Sequence, residues 1–84
     1  MTEQGQEILQ AMRDHLGARG LETAAIVPEA ELLGDLDLDS LDTVELTLGL
    51  EERFGIEVPD EELEGLTTIG DAVLLIESKL TAKV

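Results

Sequence analysis

Apolar residues along this chain recur at helical rather than strand spacing. In the first segment Ile8, Leu9, Met12 and Leu16 share one helix face, with Glu3 and Glu7 in the early turns and Arg13 and His15 in the last. Gly17 reads as the stop. From Ala18 to Asp39 the pattern breaks up around Pro28 and Gly34, leaving a connection of about 22 residues. Connections of that length are usually functional or pinned by their own apolar residues. Ile26, Val27, Leu32 and Leu33 are available for the pinning.

The second segment predicts a helix from Leu41 to Phe54, with Ser40 as its N-cap and Gly55 as its end. Leu46, Leu50 and Phe54 fall within an arc of about 80° on that helix, and Leu41, Val44 and Leu48 within another of about 60°. One stripe suffices to attach a surface helix to a core, so the second is either wrapped by the domain or kept for a partner. Glu45, Glu51 and Glu52 flank it, which suits a partner with a basic rim. Pro59 disfavours helix at Val58, and Asp60 is placed to cap a short helix through Glu64. Thr68 to Asp71 reads as a capping box opening a last helix, whose Ile69, Ala72, Val73, Ile76 and Leu80 form one buried stripe; Lys79 and Lys83 suit its C-terminal dipole. No segment alternates with period two for long enough to make a strand. The expectation is an all-α fold, a small four-helix bundle of three main helices and one short one, with a long loop between the first two, forming a single domain over residues 1–84.

Composition narrows the function. With 20 acidic against 5 basic side chains the formal charge is −15, which makes the compact state repel itself and removes the cationic surface that nucleic acids require. Anionic membranes are disfavoured for the same reason, and no apolar run approaches the roughly 20 residues of a spanning helix. With no signal-like N-terminus, the chain is expected to be a cytoplasmic monomer. It contains no cysteine, so any thiol chemistry must arrive on a group added to the chain.

Catalysis by the chain itself is not expected. His15 is the sole histidine and reads as a solvated helix end, and Ser40 has only carboxylates near it in sequence as candidate bases. Asp35, Asp37 and Asp39 alternate like the first ligands of a calcium loop, but Ser40 stands where the loop needs Gly and Leu46 where it needs Glu. No metal site is therefore assigned. Ser40 remains: at the mouth of a helix, a phosphodiester on its oxygen would lie by the positive end of the dipole.

The run Gly34-Asp35-Leu36-Asp37-Leu38-Asp39-Ser40-Leu41-Asp42-Thr43-Val44-Glu45-Leu46 resembles the prosthetic-group site of acyl carrier proteins. So do Leu50 to Leu63, with Val58-Pro59-Asp60-Glu61, and Leu66 to Val73, with the Thr67-Thr68 cap. The resemblance implies that Ser40 receives 4'-phosphopantetheine from coenzyme A through a magnesium-dependent phosphopantetheinyl transferase, and that the arm's thiol carries acyl groups as thioesters. Asp39 matches the family acid that helps the transferase engage, and Leu41 the residue after the attachment point. Synthases, reductases and acyltransferases with basic patches would dock on Asp42, Glu45, Glu51, Glu52, Asp60 and Glu64, with Leu41, Val44 and Leu48 as apolar contacts.

The stretch Asp42 to Leu46 is similar to the fatty-acid branch of the family, and fatty acid biosynthesis is the pathway expected. The alternatives are a carrier of a polyketide, aminoacyl or other secondary-metabolite pathway, and a small acidic calcium-binding or interaction module without a prosthetic group. Two positions depart from what is usual. Many family members have Gly where Asp37 stands, and Gly49 lies inside the second helix, where its missing side chain is expected to leave space beside Leu46 and Leu50 for an acyl chain.

Overall fold

Thr2 opens the first helix by accepting the Gly5 N–H on Oγ1 at 3.0 Å. In the computed structural model, which describes residues 2–83, α1 spans Glu3–Ala18, α2 Ser40–Phe54, α3 Asp60–Leu63 and α4 Ile69–Lys83. The fold is all-α, with three long helices and one short one. Among the described residues there is no strand, only an isolated bridge between Glu31 and Thr68.

The apolar stripes pack as their spacing requires. Ile8, Met12 and Leu16 of α1 are fully buried, as are Ile69 and Val73 of α4, while Leu46 and Leu50 bring α2 onto the same core. α1 is the central element, packed against both α2 and α4, and α3 touches α2. Each helix end has a physical cause. α2 stops at Gly55 (φ 65°), whose N–H returns to the Glu51 carbonyl. α1 runs past Gly17, the expected stop, because Gly20 (φ 98°) takes the left-handed position instead. The Leu21 N–H then reaches back to the Leu16 carbonyl at 3.2 Å and the Gly20 N–H to the Gly17 carbonyl at 3.0 Å. At the start of α4, Thr68 and Asp71 exchange hydrogen bonds of 3.1 Å in the expected box. α3 is not capped by Asp60: Pro59 holds the cap position without a side-chain bond, and Asp60 is the first helical residue. Lys79 turns from the α4 terminus to pair with Glu62 of α3 at 2.8 Å, and the side chain of Lys83 lies outside the described residues.

The connection between α1 and α2 holds a single 3₁₀ turn, Thr23–Ala25, and is fixed in two ways. Ile26, Ala30, Leu32, Leu36 and Leu38 are buried in the core, with Val27 half-buried; Leu33, expected to help, is 66% exposed. The backbone is also stitched to the head of α4, where the Ile69 N–H donates to the Ala30 carbonyl, the Gly70 N–H to the Pro28 carbonyl and the Leu32 N–H to the Thr67 carbonyl, each at 2.9 Å. The bonds from Ile69 and Gly70 satisfy helix-start donors that would otherwise have no partner.

The space beside Gly49 is not free for an acyl chain. The His15 ring of α1 fills it, so closely that a Cβ built on Gly49 would stand 2.9 Å from Cε1 and Nδ1. Gly49 is therefore the seat of a close helix crossing, and His15 is half-buried there instead of solvated. Gly49→Ala is expected to lower the melting temperature by displacing the ring. In a His15→Ala background the same change should stabilise by about 1 kcal/mol, the ordinary helix-interior gain of Ala over Gly. Thermal unfolding of the four proteins of that cycle checks the reversal of sign.

Candidate functional site

The site begins with the order of residues at the α2 start. Asp39, not Ser40, is the N-cap: its Oδ1 accepts the Asp42 N–H at 2.8 Å, and Asp42 Oδ2 accepts the Asp39 N–H at 3.2 Å. Together they form a capping box. Carboxylate outcompetes hydroxyl here because the bond is charge-assisted and the anion lies at the positive end of the dipole. Ser40 thereby becomes the first helical residue. It is exposed, and its hydroxyl has no hydrogen-bond partner among the described residues. The N–H groups of Ser40 and Leu41 are first-turn donors with no carbonyl one turn back to accept them.

The segment before the cap aims it. Leu36 and Leu38 are buried on either side of exposed Asp37, and Asp35 Oδ2 accepts the Glu31 N–H at 2.8 Å. Asp37 sits at φ 55°, the left-handed region, which explains why glycine suits this position. Asp is among the few other residues that tolerate it. The three alternating aspartates are thus divided between a turn, a strained backbone position and a helix cap. Among the described residues no group of three or more His, Cys, Asp and Glu side chains could hold a metal ion.

A groove of about 390 Å³ opens beside Ser40, walled by Leu32, Leu33, Thr43, Val44, Leu63 and Leu66, with Asp60 and Glu64 at its rim. Leu33, which failed as an anchor, is one of its walls. Along α2 the second apolar stripe is left outward: Leu41 is 64% exposed, Leu48 54%, and Val44 is half-buried. The flanking acids are not equivalent. Asp42 and Glu45 meet the Arg19 guanidinium, at 2.5 and 2.8 Å, and Glu51 Oε2 accepts the Val58 N–H at 3.3 Å. Glu52, Asp60 and Glu64 are exposed. The Asp39 backbone N–H, and after it the Arg19 side chain, holds the Asp42 carboxyl below the usual carboxylate range. Arg19 had no visible role in the sequence, since a cation just past a helix end carries no signal of what it reaches. The Asp39 cap was recoverable, because Asp39 and Asp42 stand three apart just as Thr68 and Asp71 do.

A family model described as a phosphopantetheine attachment site matches residues 6–76. That span is most of the chain, and the chain belongs to this family. Its members are carriers and not catalysts; the group they hold is 4'-phosphopantetheine on a serine, installed by a phosphopantetheinyl transferase and used by client enzymes. Of the two serines, Ser40 and Ser78, only Ser40 lies within the matched residues. The surroundings of Ser40 fit the group: a free hydroxyl for the phosphodiester, unpaired first-turn N–H donors for its oxygens, and an apolar groove alongside. No helix among the described residues is long and apolar enough to cross a membrane.

The left-handed backbone at Asp37 predicts that Asp37→Gly stabilises the protein by about 0.5–1 kcal/mol, whereas Asp37→Val costs about 1–2 kcal/mol. Chemical denaturation checks both. Asp42 predicts a pH dependence. Its carboxyl is more acidic in the folded state, so its contribution is fully present above the unfolded value and fades as pH falls through the folded one. The melting-temperature gap between wild type and Asp42→Asn should be widest near neutrality and close below about pH 4.

Proposed function

We propose that this member of the phosphopantetheine attachment family carries acyl groups on an arm held by Ser40 and delivers them to enzymes of fatty acid biosynthesis. The observation that carries the attachment point is the unspent hydroxyl of Ser40 at the first position of α2, in the one serine of the matched span. When bound, the arm supplies the thiol that the chain lacks, and with it a thioester linkage for cargo.

The chain's own residues prepare and present the position. Asp39 takes the capping work, so the Ser40 oxygen stays open to the transferase, and its carboxylate stands beside that oxygen in sequence as a charge for the transferase and its metal to meet. Leu41, next along α2, projects into solvent as an apolar contact close to the attachment point, and Val44 and Leu48 extend the same strip. Asp42, Glu45, Glu51, Glu52, Asp60 and Glu64 surround it with negative charge, which speeds encounter with basic patches on synthases, reductases and acyltransferases and permits quick release. The fatty-acid assignment rests on the resemblance of Asp42 to Leu46 to that branch.

Treatment with a phosphopantetheinyl transferase, coenzyme A and magnesium should add one phosphopantetheine mass to the wild type and none to Ser40→Ala. The melting temperature of the unmodified Ser40→Ala variant should stay near the wild-type value, because Asp39 holds the cap; Asp39→Ala should cost about 1 kcal/mol. An unmodified wild type would defeat the attachment reading. Protein isolated from its own cells should bear a homologous series of saturated and 3-hydroxy acyl groups, and aminoacyl or branched polyketide adducts would redirect the pathway.

A further inference from the structure

The acids of the outward face divide into two sets. Near Ser40, the guanidinium of Arg19 spans Asp42 and Glu45, one turn apart on α2, through separate nitrogens. Its backbone is fixed by the α1 terminus, where Arg19 is the cap residue and Gly20 makes the left-handed turn. The side chains of Glu52, Glu57 and Glu61, and of Asp60 and Glu64 across the groove from Ser40, make no ion pair or hydrogen bond with another described residue. The first turns of α2 are thus partly neutralised from within, and the carboxylates around α3 are bare. Arg19 remains 36% exposed, so an incoming group can reach it.

We propose that Arg19 is an internal competitor for the basic side chains of partner enzymes. It occupies Asp42 and Glu45 until a partner's cation displaces it, so partners are attracted first by the bare carboxylates around α3 and gain little extra hold on the first turns of α2. Exchanging one exposed ion pair for another gains less than forming a new pair with a free carboxylate. Arg19 accordingly weakens docking on the first turns of α2 and shortens the dwell time of each partner. The role rests on Ser40 as the attachment point.

The test uses the unmodified protein and a phosphopantetheinyl transferase with coenzyme A and magnesium, followed by intact mass. Arg19→Gln should raise kcat/KM about three- to tenfold at low ionic strength through KM, leave kcat unchanged, and lose the gain at about 0.5 M salt. Arg19→Met, which keeps the apolar stem, should behave alike, and Arg19→Lys should fall near wild type. Arg53→Gln changes the net charge equally but frees Asp14 of α1, 3.4 Å from Arg53, and should leave KM almost unchanged. Calorimetry of the transferase with Ser40→Ala and with Ser40→Ala/Arg19→Gln should show the same tightening without any reaction. An unchanged or raised KM in Arg19→Gln and Arg19→Met that melt normally, or an equal gain from Arg53→Gln, would overturn the role of Arg19. Absence of modification in the wild type would instead overturn the attachment reading, and the calorimetric comparison would still decide for or against the competitor.

Discussion

The proposed role of Ser40 depends on which residue caps α2. A helix start must satisfy its first N–H groups, and Asp, Ser and Thr can all do so. Had Ser40 been the cap, its oxygen would have been committed to a backbone donor and the helix would begin one residue later. Because Asp39 is the cap, the helix begins at Ser40 and the hydroxyl is left without a partner among the described residues. One carboxylate, placed one residue earlier, starts the helix and releases the next side chain from that task. The reciprocal bond from Asp42 strengthens the division, since it fixes the Asp39 backbone from the other side.

That cap holds its place only because the preceding loop is rigid. Leu32, Leu36 and Leu38 anchor it to the core, and the Leu38 N–H closes the turn on the Leu32 carbonyl at 2.9 Å. Asp37 lies between two anchors, which is how a left-handed backbone can be sustained in a residue other than glycine: burial of its neighbours over-determines it. The same loop supplies carbonyls to the start of α4, so the α2 mouth and the α4 head are tied to one segment.

The helices and their buried stripes were legible in the sequence because each stripe reports one face, and burial of that face is what holds a helix in place. Gly55 and the Thr68 to Asp71 box were legible because each is a local arrangement with a local cause. What escaped reading required knowledge of a neighbour. Gly49 looked like empty space, and the His15 ring that fills it lies far away in the chain. Leu33 looked like an anchor, yet alternation in the irregular connection turns Leu32 inward and Leu33 toward the groove. The cap was misjudged by one residue because two good capping residues stand side by side, and charge decides between them.

The same dependence on neighbours governs the cations. In a chain of charge −15 they are scarce, and each one whose side chain is described serves to join elements. Arg13 reaches from α1 to the Ile26 carbonyl in the connection, Arg19 from the α1 end to α2, Arg53 from α2 back to α1, and Lys79 from α4 to α3. Ion pairs exposed in this way contribute little stability individually. Their placement matters for what it leaves over: positive charge is paired across the seams of the bundle, and Glu52, Asp60, Glu61 and Glu64 in and beside α2 and α3 stay unpaired among the described residues. A small domain cannot lower its self-repulsion and also keep an attractive face unless its few cations are spent selectively. Arg19 stands on the boundary between those two demands, and for that reason it is the cation whose removal should be felt by a partner more than by the fold.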